Sequence, residues 1–258
     1  MTTKQETRDL PPIAESIAVV QFRAEPERLQ SLLLPPPLEP VGDGNIGYAI
    51  IGDAISAERR QSDPTVPIEA TGFREAAVGM PCRYDGDQYV VSPILFLDRQ
   101  TKSFEQGITR GIGTVTKSKW QVACEGRRDI TAGDTAAGSA SHGGSELFFL
   151  SIDIDDETTT DSMSDWVFDF LHYRNVSDPL ADADAGDLAN DMTKMELPTL
   201  EIGSLWEGAA SLRFGEWRGG LLAGLVEEVQ TGYHVTMGYE YAGERVLEAV
   251  DDWGAHIE

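Results

Sequence analysis

Lysine occurs at only five positions in this chain, and two of them stand two apart in Thr116-Lys117-Ser118-Lys119-Trp120. The others are Lys4, Lys102 and Lys194. A glycine-rich approach, Arg110-Gly111-Ile112-Gly113-Thr114-Val115, leads into the pair. On a strand, residues two apart project to the same side, roughly 7 Å apart at a rise of ~3.3 Å per residue. Each ammonium then disfavours the other's charge, and a lysine that loses its proton near neutral pH can attack a ketone. Spacing alone favours a plainer reading, an exposed strand end whose lysines pair with surface carboxylates.

Other chemistry is poorly represented. There is no Gly-x-Gly-x-x-Gly after a strand with a downstream acid, no Walker loop, no Gly-x-Ser-x-Gly elbow and no paired Cys-x-x-Cys. His142, His172, His234 and His256 are scattered without ligand spacing, so they read as loop, core or tail residues and no metal is expected. The acidic run Asp153-Ile154-Asp155-Asp156 reads as a solvated face.

The elements that must position the lysines belong to a chain of 258 residues and 28.1 kDa, enough for one sizeable core. Its net charge is −24, from 44 acidic against 20 basic residues. Such a surface repels nucleic acid. It is tolerable in concentrated salt, where the Debye length shrinks to roughly 3 Å at 1 M, and the chain reads as a halophile's protein. Cys82 and Cys124 cannot make a disulfide framework and read as a reduced intracellular pair. No stretch approaches the ~18 apolar residues of a membrane span, and the polar start carries no secretory pattern, so the expectation is a soluble cytoplasmic protein.

Residues 1–14 read as a flexible arm and 15–258 as a single domain. Within it, Ile17 to Phe22 predicts a strand, and Glu25 to Leu34 a helix ended by Leu34-Pro35-Pro36-Pro37. Gly47 to Ile51, Phe73 to Met80 and Tyr89 to Leu97 predict short antiparallel strands, the last entered through Asp85-Gly86-Asp87. Thr131 to Ser145 reads as a surface loop, Glu146 to Ile154 as a strand, Asp165 to His172 as a short helix and Asp178 to Asp191 as an acidic loop. Strands over Leu197 to Ser204, Ala209 to Phe214 and Tyr233 to Tyr241 precede a closing helix from Arg245 to Trp253.

One order of motifs runs through these elements. Phe73-Arg74-Glu75-Ala76 precedes Met80-Pro81, then come the Asp85-Gly86-Asp87 turn, Ile94-Leu95-Phe96-Leu97-Asp98, and Arg110-Gly111 leading to lysines. This order resembles the acetoacetate decarboxylase family, where an aromatic-x-Glu segment precedes Ile-Pro, a strand ends in Tyr-Leu-Asp, and an Arg-Gly or Gly-Arg-Glu element leads into Gly-x-Pro-Lys-Lys. Phe22-Arg23 with its helix, Leu205 to Leu212, and Gly232-Tyr233-His234 to Val246 resemble the family's opening and closing elements, so the likeness covers most of residues 15–253.

The resemblance implies an α+β fold: a mainly antiparallel, cone-like β-barrel with peripheral helices and an apolar interior pocket. It implies a Schiff-base lysine beside a second lysine, the case usually given for this activation being acetoacetate decarboxylase itself. With one inserted residue Lys117 is the nucleophile and Lys119 its electrostatic partner. A gapped alignment puts Lys117 at the family's second lysine and Thr116 at the first. Ungapped from Arg110-Gly111, Ser118 falls at the nucleophile position and Lys119 at the second lysine. Glu75 matches the family's acid, to position substrate or move a proton, and Arg110 is the substrate-binding candidate. The family's second acid falls near Ala49. No cofactor or metal is implied, and the partner is a small-molecule keto acid. The expected activity is decarboxylation of a β-keto acid such as acetoacetate. The alternatives are aldolase- or dehydratase-like chemistry through the same imine, or a barrel that binds a small molecule without catalysis. Family members are homo-oligomers, and Trp206, Trp217, Tyr233, Tyr239, Tyr241 and Trp253 are candidates for a subunit contact.

Overall fold

The computed structural model describes residues 12–56, 72–99, 111–117, 130–163, 166–174 and 191–249. The first strand, β1, runs Pro12–Arg23. It starts five residues earlier than the apolar run suggests. Its faces explain why that run does not alternate: Ala18, Val20 and Phe22 enter one core, while Ile17 and Val19 enter a second core on the opposite face. A sheet covered on both sides needs apolar residues at successive positions.

Helix α1, Pro26–Leu33, has proline in its first turn and buries Leu29 and Leu33, one turn apart. After β2 (Glu39–Pro40) come β3 (Ile46–Ser56), β4 (Gly72–Tyr84) and β5 (Asp87–Leu97). Asp85 at φ 52° and Gly86 at φ 88° form the two-residue connection of the β4–β5 hairpin, the left-handed backbone that matches the twist of the flanking strands. The chain continues with β6 (Gly111–Ile112), β7 (Thr114–Lys117), β8 (Thr135–His142) and β9 (Ser145–Glu157). Then follow β10 (Phe170–Arg174), β11 (Asp191–Glu196), β12 (Thr199–Phe214), β13 (Glu228–Glu240) and β14 (Gly243–Ala249).

All belong to one sheet, ordered β14-β11-β10-β5-β4-β3-β1-β13-β12-β9-β8-β7, with β2 on β4 and β6 on β5. Its pairings are antiparallel except β5–β10 and β5–β6. The expected strand-dominated fold with few helices is present. The ladder is open: among the described residues no hydrogen-bonded pairing joins its two ends into a closed barrel.

Four expectations need correction. Thr131 to Ser145 is not a loop, because β8 occupies most of it; Ala136 and Ala140 are buried in the first core, where small side chains let the strand lie close to its neighbours. Phe170 to His172 is strand, not helix, with Trp166, Val167, Phe168 and Phe170 packed on the second core. The closing helix is strand β14 over its described part, held by antiparallel pairing with β11. The strands expected at Leu197 and Ala209 are one 16-residue strand, β12, because Gly208 does not interrupt it. A Cβ on Gly208 would run into the Asp153 carbonyl oxygen, where the β12–β9 register shifts, so glycine is what lets β12 continue against β9 there. The acidic loop from Asp178 lies almost wholly outside the described residues, and Asp191 opens β11.

Candidate active site

The centre of the sheet carries a cluster of acids that its apolar surroundings make conspicuous. Strand β3 lies between β1 and β4, and Gly52 pairs with Ile17 on one side and Glu75 on the other. Having no side chain, Gly52 leaves a gap over which Glu15 of β1 and Glu75 of β4 reach towards each other. A Cβ at Gly52 would lie 2.6 Å from Glu75 Cγ and 2.7 Å from Glu15 Oε1. Glu15 is 4% exposed. Glu75 as a residue is half-buried, but its carboxyl is enclosed. Tyr239 of β13, itself buried, donates its hydroxyl to Glu15 Oε2 at 2.7 Å.

Two carboxyls enclosed together cannot both ionise cheaply. Burial chiefly pushes Glu15 from an ordinary 4.5 up to about 7, against hydrogen bonds from Tyr239 and Glu75 that favour its ionised form. Burial, and then repulsion by Glu15, holds Glu75 well above the usual carboxylate range. Burial and the two acids also raise the Tyr239 phenol well above its ordinary value, so it stays a donor. Burial thus favours the protonated form of both carboxyls, and a carboxyl inclined to hold its proton in a largely apolar setting is what general acid catalysis requires.

The cluster is linked to the lysine-bearing strand. Arg74, next to Glu75, donates through Nη1 to the Val115 carbonyl at 3.3 Å and sits 3.6 Å from Asp53. Its amide donates to Asp98 at 2.8 Å. Leu97, the β5 partner of Glu75, accepts from the Gly113 amide at 2.8 Å and pairs with Ile112. The approach to the lysines thus runs beside the strand pair that carries Glu75. Lys117 closes β7, its backbone opposite Gly138 of β8. Lys119 and Arg110 lie outside the described residues.

Of the acids sought from sequence, Glu75 lies in the cluster, and Ala49 is a core residue. The second acid comes from Glu15, with Asp53 nearby. From sequence Glu15 carries no motif, and Tyr239 reads only as a candidate for a subunit contact. The available signal was parity: Glu15 shares a strand face with Ile17 and Val19, and a glutamate continuing a buried face is a buried glutamate. Each of the three described histidines has a partner, and His256 lies outside the described residues. His142 stacks on Phe96 with ring centroids 4.9 Å apart, His172 faces Glu244 at 3.3 Å, and buried His234 shares a hydrogen bond with Ser16. Among the described residues no cluster of metal-ligating side chains occurs. Cys82 is buried, and burial pushes its thiol up to about 12, far from a reactive thiolate.

The chain matches the acetoacetate decarboxylase family over residues 1–250 and belongs to it. No curated protein sequence matches it. Its fold is that of several solved structures. One is an acetoacetate decarboxylase-like enzyme from Sphingomonas wittichii RW1, with TM-score 0.76 and 20% identity over 93% of this chain and 94% of that one. Another is the enduracididine biosynthesis enzyme MppR with bound HEPES, at TM-score 0.74 and 18% identity over 94% and 89%. A third is acetoacetate decarboxylase from Legionella pneumophila, at TM-score 0.65 and 15% identity over 93% and 88%.

Proposed function

We propose that this protein is a cofactor-independent Schiff-base enzyme that decarboxylates a β-keto acid such as acetoacetate, with Lys117 as nucleophile, Lys119 as the cation that depresses its pKa, and Glu75 as acid. The observation that carries this reading is an enclosed Glu75, its carboxyl held above the usual carboxylate range by burial, on a strand pair beside the segment leading to Lys117. Family membership supplies the reaction class.

The neutral Lys117 amine adds to the substrate ketone, and the resulting carbinolamine takes up a proton from solvent and loses water, giving an iminium. The bond to the carboxylate then breaks, CO₂ departs, and the bonding pair moves into the iminium, leaving an enamine. Glu75 delivers a proton to the enamine carbon, and water hydrolyses the new iminium to release the ketone, the neutral amine and a proton to solvent. Arg110, just before the glycines, is assigned to the substrate carboxylate. Support for the cone-like barrel comes from residues 111–117, which pair with β5 through β6 and with β8 through β7.

A second reading, condensation or dehydration through the same imine, is favoured by the similar structures of MppR complexed with pyruvate and with the condensation product of pyruvate and imidazole 4-carboxaldehyde. Borohydride reduction in the presence of acetoacetate or pyruvate, followed by peptide mass spectrometry, tests both. The expected adduct is on Lys117. An adduct on Lys119 alone reverses the two lysine roles; no adduct with either acid sinks the enzyme reading and leaves a binding barrel. Release of CO₂ from acetoacetate, against condensation of pyruvate with an aldehyde, separates the two activities.

A further inference from the structure

We propose that Glu15 is a positioning residue for Glu75: the two carboxyls share one proton across Gly52, and this sharing keeps Glu75 available as the acid that serves the reacting carbon. The catalytic consequence rests on the Schiff-base reading; the shared proton does not.

The geometry comes first. Glu15 Oε2 takes the Tyr239 hydroxyl, whereas Glu15 Oε1 is buried with no donor among the described groups when both acids are ionised. Leaving a buried acceptor unpaired costs about 1–3 kcal/mol. Glu75, facing it over the side-chain-free Gly52, is the neighbour able to supply a proton to that oxygen, and the two carboxyls are within hydrogen-bonding reach. A glutamate is unusual at a buried position of a central strand, and only a proton or a cation makes this one tolerable. Tyr239 cannot be the source of that proton because its hydroxyl is already committed to Oε2.

The charged and titratable groups around the pair are Asp53 on β3, held by Arg74 of β4, and Tyr239 on β13 with Tyr241 beyond it. Asp53 adds negative charge that disfavours full ionisation of the pair, and the guanidinium of Arg74 is turned to Asp53 and the Val115 carbonyl. The directions of titration agree with one retained proton: both carboxyls are raised, chiefly by burial, and each affects the other. In a catalytic cycle the pair gives its proton to carbon, becomes doubly ionised, and recovers a proton from solvent water.

The test uses the full chain labelled with ¹³C at glutamate Cδ. In the wild type, the pair should titrate in two coupled steps, the upper one above neutral pH. Glu15→Gln keeps the size and removes the charge that holds the proton on Glu75. Its Glu75 titration should fall by at least about one pH unit, and the alkaline limb of acetone formation from acetoacetate should fall with it. Tyr239→Phe should move the upper titration the other way, because it removes a donor that favours ionised Glu15. Mere loosening of the fold would not produce opposite signs. A Glu75 titration left in place by Glu15→Gln overturns the shared proton. So does an unmoved upper step in Tyr239→Phe, which keeps the idea testable if the first variant does not fold. A wild type that traps no keto acid but titrates as a pair overturns the Schiff-base reading and Glu15's catalytic role with it.

Discussion

Buried acids make stability and chemistry depend on pH in the same residues. Glu15 has a folded pKa above its unfolded one, so the stability it contributes is complete below about pH 4.5 and is lost as pH rises through about 7. Tyr239→Phe removes the donor to Oε2 and should cost about 1–3 kcal/mol at pH 8, with a smaller loss at pH 5, where protonation relieves the unpaired carboxylate. Urea denaturation at the two pH values measures the difference; equal losses would contradict a titrating partner. At the lysines, Lys119→Ala should move the pH optimum of trapping upward, since loss of a nearby cation lets the nucleophile's pKa climb towards ~10.4; an unmoved optimum would remove Lys119 from that role. Sequence made Glu75 legible because its neighbours form a motif. Glu15 was hidden because its partners, Glu75 and Tyr239, stand 60 and 224 residues away.

At the level of elements, apolar runs in β1, β3, β4 and β5 and the helix α1 were readable because burial on two faces, or on one helical stripe, writes itself into composition. Strand β8 was not, since its Ala, Ser and Gly residues lack strand propensity and gain their conformation from pairing with β7 and β9. β14 was missed for a related reason: Glu244-Arg245-Val246-Leu247-Glu248 groups charged and apolar residues in pairs without the alternation of a strand, and pairing with β11 decides. The long β12 shows what a single backbone contact does. Gly208→Ala would drive a methyl into the Asp153 carbonyl and should destabilise the protein by about 3 kcal/mol through overpacking. Gly133→Ala is a control for crowding rather than for all strain: its Cβ meets open space, and only its left-handed backbone resists substitution. Thermal melting that ranks the two equally would refute the close approach of β12 to β9.

For the molecule as a whole, a net charge of −24 makes salt the dominant external variable. Repulsion among carboxylates acts over roughly 30 Å at 0.01 M ionic strength and roughly 3 Å at 1 M, so the melting temperature should rise from dilute buffer to molar KCl; an unchanged value would refute the halophile reading. A subunit contact through the aromatic residues of the C-terminal third stays a proposal, and Trp253 lies outside the described residues. Trp217, Tyr233 and Tyr239 are buried within the protomer, Trp206 is partly buried against its first core, and Val246 is the exposed large hydrophobic residue among those described. Light scattering in concentrated salt decides between one chain and several. The pairing of β1 with β13 has a further meaning in time. The bond from Tyr239 to Glu15 joins residues 224 apart, whereas the β4–β5 hairpin closes through two residues. On a ribosome the hairpin can form early, but Glu15 must wait for nearly the whole chain to be synthesised before its hydroxyl donor arrives. Until then it is an unshielded carboxylate at the start of a strand, and an incomplete chain cannot assemble the acid cluster at all.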